Sequence, residues 1–242
     1  ADAVVMQENV EREGDRIRLS SRPRAGDHIR RRGEDLAQHA VALEAGIRLG
    51  AYQLGLAAAL DRDAVTVARR PRVTLVATGD ELRTPGSPPR PASVPESNSV
   101  VIAALATAAG AVVHIGGPCS DDLESTRREF DRALGESDLL VTLGGVSVGD
   151  HDVVRPALEA AGVTLAFHKV AIKPGKPLTL GRRGNALVLA LPGNPVSAQV
   201  TFTLFGVSLL RRMQGALRCV RAPLPVRLGA PLRQKPGRRG FS

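Results

Sequence analysis

The sequence predicts an α/β protein: a three-layer, doubly wound, mainly parallel sheet flanked by partial β and helical domains. Three observations carry this reading. From Val73 onward, short apolar β-branched runs alternate with helix-patterned segments, the signature of strands joined by crossover helices. Helix starts carry their own local signals, such as Asn194-Pro195, a favoured N-cap placed directly before a favoured first helical residue. Glycine-rich loops follow apolar runs at Leu143 and Leu191, at the strand ends where doubly wound sheets bind ligands. With 242 residues and 43% apolar content, the chain has material for one sizeable core and smaller pieces.

Taken in order, residues 1–24 read as a partial β domain. Ala3-Val-Val-Met6 looks like a strand, a charged turn runs from Glu11 to Asp15, and Arg16-Ile-Arg-Leu19 alternates. Residues 25–69 form a linker or helical segment, in which Leu36, Leu43, Ile47, Leu54 and Leu60 suggest short helical pieces interrupted at Gly46 and Gly50. Arg69-Arg-Pro-Arg72 marks a boundary, and the α/β domain occupies 70–213. Its pattern predicts strands at Val73–Ala77, Ala111–Gly116, Leu139–Leu143 and Val163–Val170, and helices at Ser99–Ala109, Asp122–Leu134 and Val153–Ala161. Asp121-x-x-Glu124 has capping-box spacing with Asp121 as the cap. Leu178–Leu180 and Ala186–Leu191 should form a hairpin across Gly181-Arg-Arg-Gly184. Residues 214–242, punctuated by prolines from Pro223, look like the incomplete opening of a further β domain.

Three loops read together as an anion site: Thr142–Asp150, Lys173-Pro-Gly-Lys-Pro177 and Pro192-Gly-Asn-Pro195. Glycine lets backbone N–H groups approach a ligand, and helix N-termini favour negative charge. The first loop is neither a Walker A loop nor a dinucleotide fingerprint. Gly144, Gly145 and Gly149 would supply backbone donors and Ser147 a hydroxyl. Two prolines hold Lys173 and Lys176 in a preset arrangement. The carboxylates Asp35, Asp80, Glu81, Asp121, Asp122, Asp150 and Asp152 are scattered. Brought together from strand ends they suit Mg²⁺, which takes one or two carboxylates plus substrate phosphate. Helix capping is an equal reading for any one of them, Asp121 above all, while Glu81 ends the first strand of the sheet. His151 and His168 lack spaced partners, which speaks against zinc.

The net charge of +9 is local, because residues 160–242 hold 14 Lys or Arg and no acidic residue. Nine of these, Arg211, Arg212, Arg218, Arg221, Arg227, Arg233, Lys235, Arg238 and Arg239, lie near or in the tail. A basic tail can bind nucleic acid, but a solvated face or a half-domain without its acidic partner strands explains it better. Aromatic content of 2% leaves little for base stacking. Cys119 and Cys219 match no metal or redox spacing, as expected in a reducing, cytoplasmic setting. The visible chain shows no secretory leader. Its most apolar stretch, Val196 to Leu210, is interrupted by polar residues, so no membrane span is expected.

Seven ordered motifs resemble the MoeA family, the molybdopterin molybdenumtransferases, whose relatives include the E domain of gephyrin. They are Ala3–Glu8, Ile29–Asp35 with Arg30, Thr78-Gly-Asp-Glu-Leu82, Ser97-Asn98, Gly144–Asp150, His168–Pro177 and Leu191–Ser197. The resemblance implies a molybdopterin-binding domain over about 70–213. The implied reaction inserts molybdenum from molybdate into adenylylated molybdopterin and releases AMP, with Mg²⁺ assisting. Within the family pattern Asp35, Glu81, Asp152, Lys169 and Lys173 take catalytic positions, and Glu81, Asp121 and Asp152 metal positions. Substrate binding falls to Arg30, Thr78, Gly79, Asp80, Ser97, Asn98, Gly144, Gly145, Ser147, Gly149, Asp150, Lys176, Pro192, Gly193, Asn194, Pro195 and Ser197. Homodimers and handover to or from other cofactor-biosynthesis proteins are also implied.

Departures from the family pattern accompany this. Glu96 stands where the family has Asp. The family's longer N-terminal part, with its acidic Met-Asp-Gly-Tyr segment, and its complete C-terminal β domain are expected to lie outside the chain. The alternatives are a catalytically incomplete molybdopterin-binding or gephyrin-like scaffold module, and a molybdopterin adenylyltransferase.

Overall fold

The structure is a computed structural model and describes residues 1–145, 153–220, 222–227, 229–231 and 236–241. The chain divides into two compact units, residues 1–45 with 49–63 and residues 46–48 with 64–242. In the first, β1 (Val10–Glu13) and β2 (Arg16–Leu19) form an antiparallel hairpin, and α1 spans Ala51–Ala59. Two expectations are corrected here. Ala3–Met6 forms no strand; the pairing starts at Val10, and the reversal falls at Gly14, whose φ of +60° glycine adopts without a Cβ clash. Leu36, Leu43 and Ile47 lie outside helices. Helix nucleation is costly, and in this unit only the alanine- and leucine-rich run after Gly50 sustains more than two turns, with Gly55 inside it.

The second unit begins with β3 (Arg72–Ala77), then the two-residue strands β4 (Leu82–Arg83) and β5 (Val94–Pro95), and α2 (Asn98–Ala108). There follow β6 (Val112–Ile115), α3 (Leu123–Glu136), β7 (Leu139–Leu143), α4 (Val154–Ala160), β8 (Thr164–His168) and β9 (Ile172–Lys173). The chain continues through β10 (Thr179–Arg183), β11 (Ala186–Leu191), α5 (Pro195–Thr201), a π-helical turn at Phe202–Gly206, α6 (Val207–Met213) and β12 (Arg239–Gly240). Six strands form one sheet in the order β6-β3-β7-β11-β10-β8. Neighbours from β6 to β11 are parallel, and β10 runs antiparallel to both of its neighbours. The chain leaves β3 toward β6 on one side and returns to β7 on the other, so the switch point lies between β3 and β7.

Both faces of the sheet are buried, as parallel strands require. On one face Leu75, Leu139, Val141, Leu143, Leu189 and Leu191 pack with Ile102, Phe202 and Leu210 from the helices. On the other, Val76, Leu140 and Val188 pack with Phe130, Val154 and Leu158. Each such side chain contributes about 1.5–3 kcal/mol through burial.

Local signals set the helix starts, with one correction. Asn194 Oδ1 accepts from Ser197 N at 3.2 Å with Pro195 in the first turn, as the sequence indicates. For α3 the cap is Asp122, not Asp121: its carboxylate accepts from Ser125 N at 2.8 Å, which holds its pKa below the ordinary carboxylate range. The expected hairpin forms, but β10 runs through Gly181-Arg-Arg183 and the turn tightens to Gly184-Asn185. Two-residue connections match strand twist, and glycine suits the first turn position. In the proline-punctuated tail, Arg239–Gly240 is the strand among the described residues, pairing parallel with β9.

At the N-terminal ends of the strands polar groups are closely paired. Asp138 takes a bidentate contact from Arg69, both bonds 2.9 Å, and accepts from Arg72 N at 2.7 Å. Arg70 donates to Gly110 O and Ala111 O at 2.9 and 3.0 Å. Among the described residues no helix is long and apolar enough to cross a membrane.

Candidate functional site

At the opposite ends of the same strands lies a cavity of about 440 Å³. Its floor is formed where β3, β7 and β11 stop. Thr78 N donates to Leu143 O at 3.0 Å and Gly144 N to Leu191 O at 3.2 Å, so the sheet pairing carries one residue into each loop. Gly144 has φ +96°, and a Cβ there would stand 2.6 Å from Thr78 O, while one at Gly193 would stand 3.3 Å from Gly144 Cα. The loops meet backbone to backbone, which explains the glycines.

The polar lining is incompletely satisfied. Asn98, the first residue of α2, donates Nδ2–H to Gly193 O at 2.8 Å, but its Oδ1 is buried without a partner among the described residues. Thr78 Oγ1 is likewise buried and unpartnered. Buried polar atoms are nearly always hydrogen-bonded, and two of the five exceptions among the described residues line this cavity. Glu96, 6% exposed, caps α2 by accepting from Ser99 N at 3.0 and 3.3 Å and also lines the cavity. Glu81 folds over Gly79: a Cβ on that glycine would lie 2.6 Å from Glu81 Oε2. Asp121 and Asp80 exchange bonds, Asp80 N donating to Asp121 Oδ2 at 3.4 Å and Asp121 N to Asp80 Oδ1 at 3.2 Å. With the capping role taken by Asp122, Asp121 turns toward the cavity.

The predicted residues therefore separate into groups. Thr78, Gly79, Glu81, Asn98 and Asp121 line the cavity, with Gly144, Gly145, Pro192, Gly193, Asn194 and Ser197. Asp80 lines a neighbouring cleft, while Ser97 and Pro195 lie beside lining residues at the starts of α2 and α5. Lys169, Lys173 and Lys176 are exposed and not among the lining residues, although Pro177 of the same segment is. That segment is pinned by Lys169 N to Leu178 O at 3.0 Å and Val170 N to Lys176 O at 2.9 Å. Lys169 takes φ +74°, a conformation costly for a residue with a Cβ and common near functional sites. Arg30 and Asp35 belong to the first compact unit, where Arg30 Nη2 approaches both carboxylate oxygens at 2.6 and 2.5 Å. Ser147, Gly149, Asp150 and Asp152 lie outside the described residues, as does His151.

Among the described residues no three His, Cys, Asp or Glu side chains converge into a metal cluster. Glu81 and Asp121 nevertheless share one cavity with the unpartnered Thr78 and Asn98 oxygens, a hard-oxygen set of the kind Mg²⁺ takes alongside phosphate and water. Sequence reasoning noted Glu96 only as a departure and gave it no place in the site. Its signal was available: an acidic residue just ahead of a helix serves the N-terminal dipole. Leu82, Leu143 and Pro177 also went unassigned, since apolar lining has no local signature.

A glycine-lined polar cavity at the switch point of a doubly wound sheet defines an α/β ligand-binding domain. Residues 74–212 match the family model described as "Probable molybdopterin binding domain", and residues 1–60 match "MoeA N-terminal region (domain I and II)". The chain belongs to the molybdopterin-binding-domain family, in its MoeA-type branch. It is 36% identical over 243 residues to molybdopterin molybdenumtransferase 2 of Mycobacterium tuberculosis (strain CDC 1551 / Oshkosh), covering 98% of this chain and 56% of that protein. Gephyrin of Dictyostelium discoideum is 33% identical over 247 residues, covering 88% of this chain and 34% of that one. A solved MoeA molybdopterin biosynthesis protein from Pyrococcus horikoshii OT3 superposes with TM-score 0.73 at 29% identity, over 90% of this chain and 53% of that chain. The chain spans about half the length of the curated bacterial relatives it matches.

Proposed function

We propose that the chain acts in molybdenum cofactor biosynthesis, inserting molybdenum from molybdate into adenylylated molybdopterin with release of AMP. The observation that carries this is the cavity itself, where Thr78 Oγ1 and Asn98 Oδ1 stand buried without partners among the described residues, beside Gly144, Gly145 and Gly193. The names of the relatives, molybdopterin molybdenumtransferases among them, supply the ligand class.

In this reading Gly144, Gly145 and Gly193 let the substrate's phosphates approach the backbone, and Asn98 and Thr78 orient it. Mg²⁺, when bound, neutralises phosphate charge beside Glu81 and Asp121, with Asp152 as a third candidate. Lys169, Lys173 and Lys176 offset the charge of molybdate and pyrophosphate from the flanking segment. Ser147, Gly149 and Asp150 are further substrate-binding candidates. Residues 70–213 would be the binding domain, with 1–24, 25–69 and 214–242 as parts of neighbouring domains. A cytoplasmic homodimer exchanging its ligand with other cofactor-biosynthesis proteins fits the same reading.

The test is AMP release from adenylylated molybdopterin supplied with molybdate and Mg²⁺. Release dependent on molybdate is expected. Protein that binds the nucleotide yet releases no AMP is a binding or scaffold module instead.

A further inference from the structure

Beside the main cavity lies a second cleft of about 380 Å³ that shares Gly79 and Leu82 with it. Their charges are opposite. The described lining of the main cavity carries Glu81, Glu96 and Asp121 and no Lys or Arg, whereas Arg83 and Arg90 line the second cleft with one carboxylate, Asp80. Both arginines come from the connection between β3 and α2, and each is held by backbone carbonyls. Arg83 Nη1 donates to Ser87 O at 2.8 Å, and Arg90 Nη2 to Asp80 O and Leu82 O at 2.7 and 2.8 Å. Among the described residues neither guanidinium forms a salt bridge, and Arg83 Nε is buried with no partner. The hydroxyl-bearing Thr84, Ser87 and Ser120 complete the polar wall.

A guanidinium tied by one nitrogen keeps its remaining N–H groups in a fixed fork, which suits tetrahedral oxyanions. The carboxylate-lined cavity next door repels the same charge unless a cation intervenes. We infer that the Arg83–Arg90 cleft is an oxyanion subsite. It takes a tetrahedral dianion, either free in solution or as the phosphate of a nucleoside monophosphate, and holds it against the wall shared with the main cavity. Binding there stands on the cleft alone; the part that dianion takes in the reaction rests on the function proposed above.

Calorimetric titration of the full chain at fixed ionic strength with sodium molybdate, and separately with AMP, tests it. Arg83→Gln with Arg90→Gln should weaken at least one of the two by about 100-fold, or about tenfold for each charge-assisted contact removed. Loss of molybdate identifies a free oxyanion, and loss of AMP identifies a nucleotide phosphate. Because both arginines also brace the loop, Ser120→Asp provides a second variant that leaves their carbonyl bonds in place and brings negative charge into the cleft. About tenfold weaker binding is expected from it. Unchanged affinity for both anions in either folded variant, or no binding of either by the wild type, overturns the subsite. AMP release by the wild type reports separately on the function: anion binding that needs Arg83 and Arg90 without turnover keeps the subsite and removes the enzyme.

Discussion

The two ends of the central sheet are built on different principles. At the N-terminal end, Asp138 gathers Arg69, the Arg72 amide and, at 3.7 Å, the Arg72 guanidinium, and these hold its carboxyl at a pKa of about 2. At the C-terminal end, Thr78 Oγ1 and Asn98 Oδ1 are buried without a partner among the described residues, and glycines at 144 and 145 take φ of +96° and +62°. One end satisfies its polar groups internally and so contributes stability. The other leaves these two oxygens without a partner among the described residues, a local conflict of the kind that falls where a fold meets function.

The largest expected effect comes from closing the open end. Gly144→Ala would set a Cβ 2.6 Å from Thr78 O in a positive-φ conformation, which costs about 2–4 kcal/mol from backbone strain and overpacking together. Urea unfolding should show it, with loss of nucleotide binding. A variant of unchanged stability would mean that the rim yields.

A smaller effect is expected at the paired end. Asp138 titrates at about 2 rather than the ordinary 3.8, so its stabilisation is complete above about pH 4 and is lost as pH falls through that interval. The full shift corresponds to about 2 kcal/mol. Arg69 is 66% exposed, and solvent screening brings the expectation to about 1 kcal/mol. The stability difference between wild type and Asp138→Asn should therefore be about 1 kcal/mol at pH 6, fall between about pH 4 and pH 2, and approach zero only below pH 2. A difference constant with pH would assign the stability to something other than charge pairing.

The smallest change in stability is expected from Thr78→Val, which removes an unpartnered hydroxyl while keeping the branched shape. Stability should stay level or rise by up to about 1 kcal/mol, because no bond is lost. Affinity for adenylylated molybdopterin should fall about fivefold to tenfold. Equal affinity in the two proteins would remove Thr78 from the binding surface.

The sheet domain was legible because its signals are local. Leu139–Leu143 is both the apolar run and the observed strand, and Asn194-Pro195 both announces and caps α5. Where local signals compete, geometry decides: Asp121 and Asp122 are both competent caps, and the chain uses Asp122 through Ser125. The cavity was legible as three loops but not as a surface. Asn98 meets Gly193 across 95 positions of sequence, and the separation of Glu81 and Asp121 from Arg83 and Arg90 into adjoining clefts depends on how the β3–α2 connection folds back. Between residues 25 and 69, Leu54 falls in α1 as its spacing suggests, whereas Leu36, Leu43 and Ile47 lie outside helices, because periodicity does not reveal whether a packing partner exists.

The π-helical turn at Phe202–Gly206 sets a constraint on chain length. It lets α5 begin at the cavity while α6 still buries Leu210 against the sheet, and a Cβ at Gly206 would meet the Phe202 ring at 2.4 Å. A π turn fits one more residue into its wider coil than an α-helical turn does, so the helix beyond it keeps its core-facing side while carrying an extra residue. Gln214 thereby still reaches the Ala109 carbonyl at 2.8 Å. The same residue count in unbroken α-helical bonding would rotate everything beyond by about 100° and turn Leu210 out of the core.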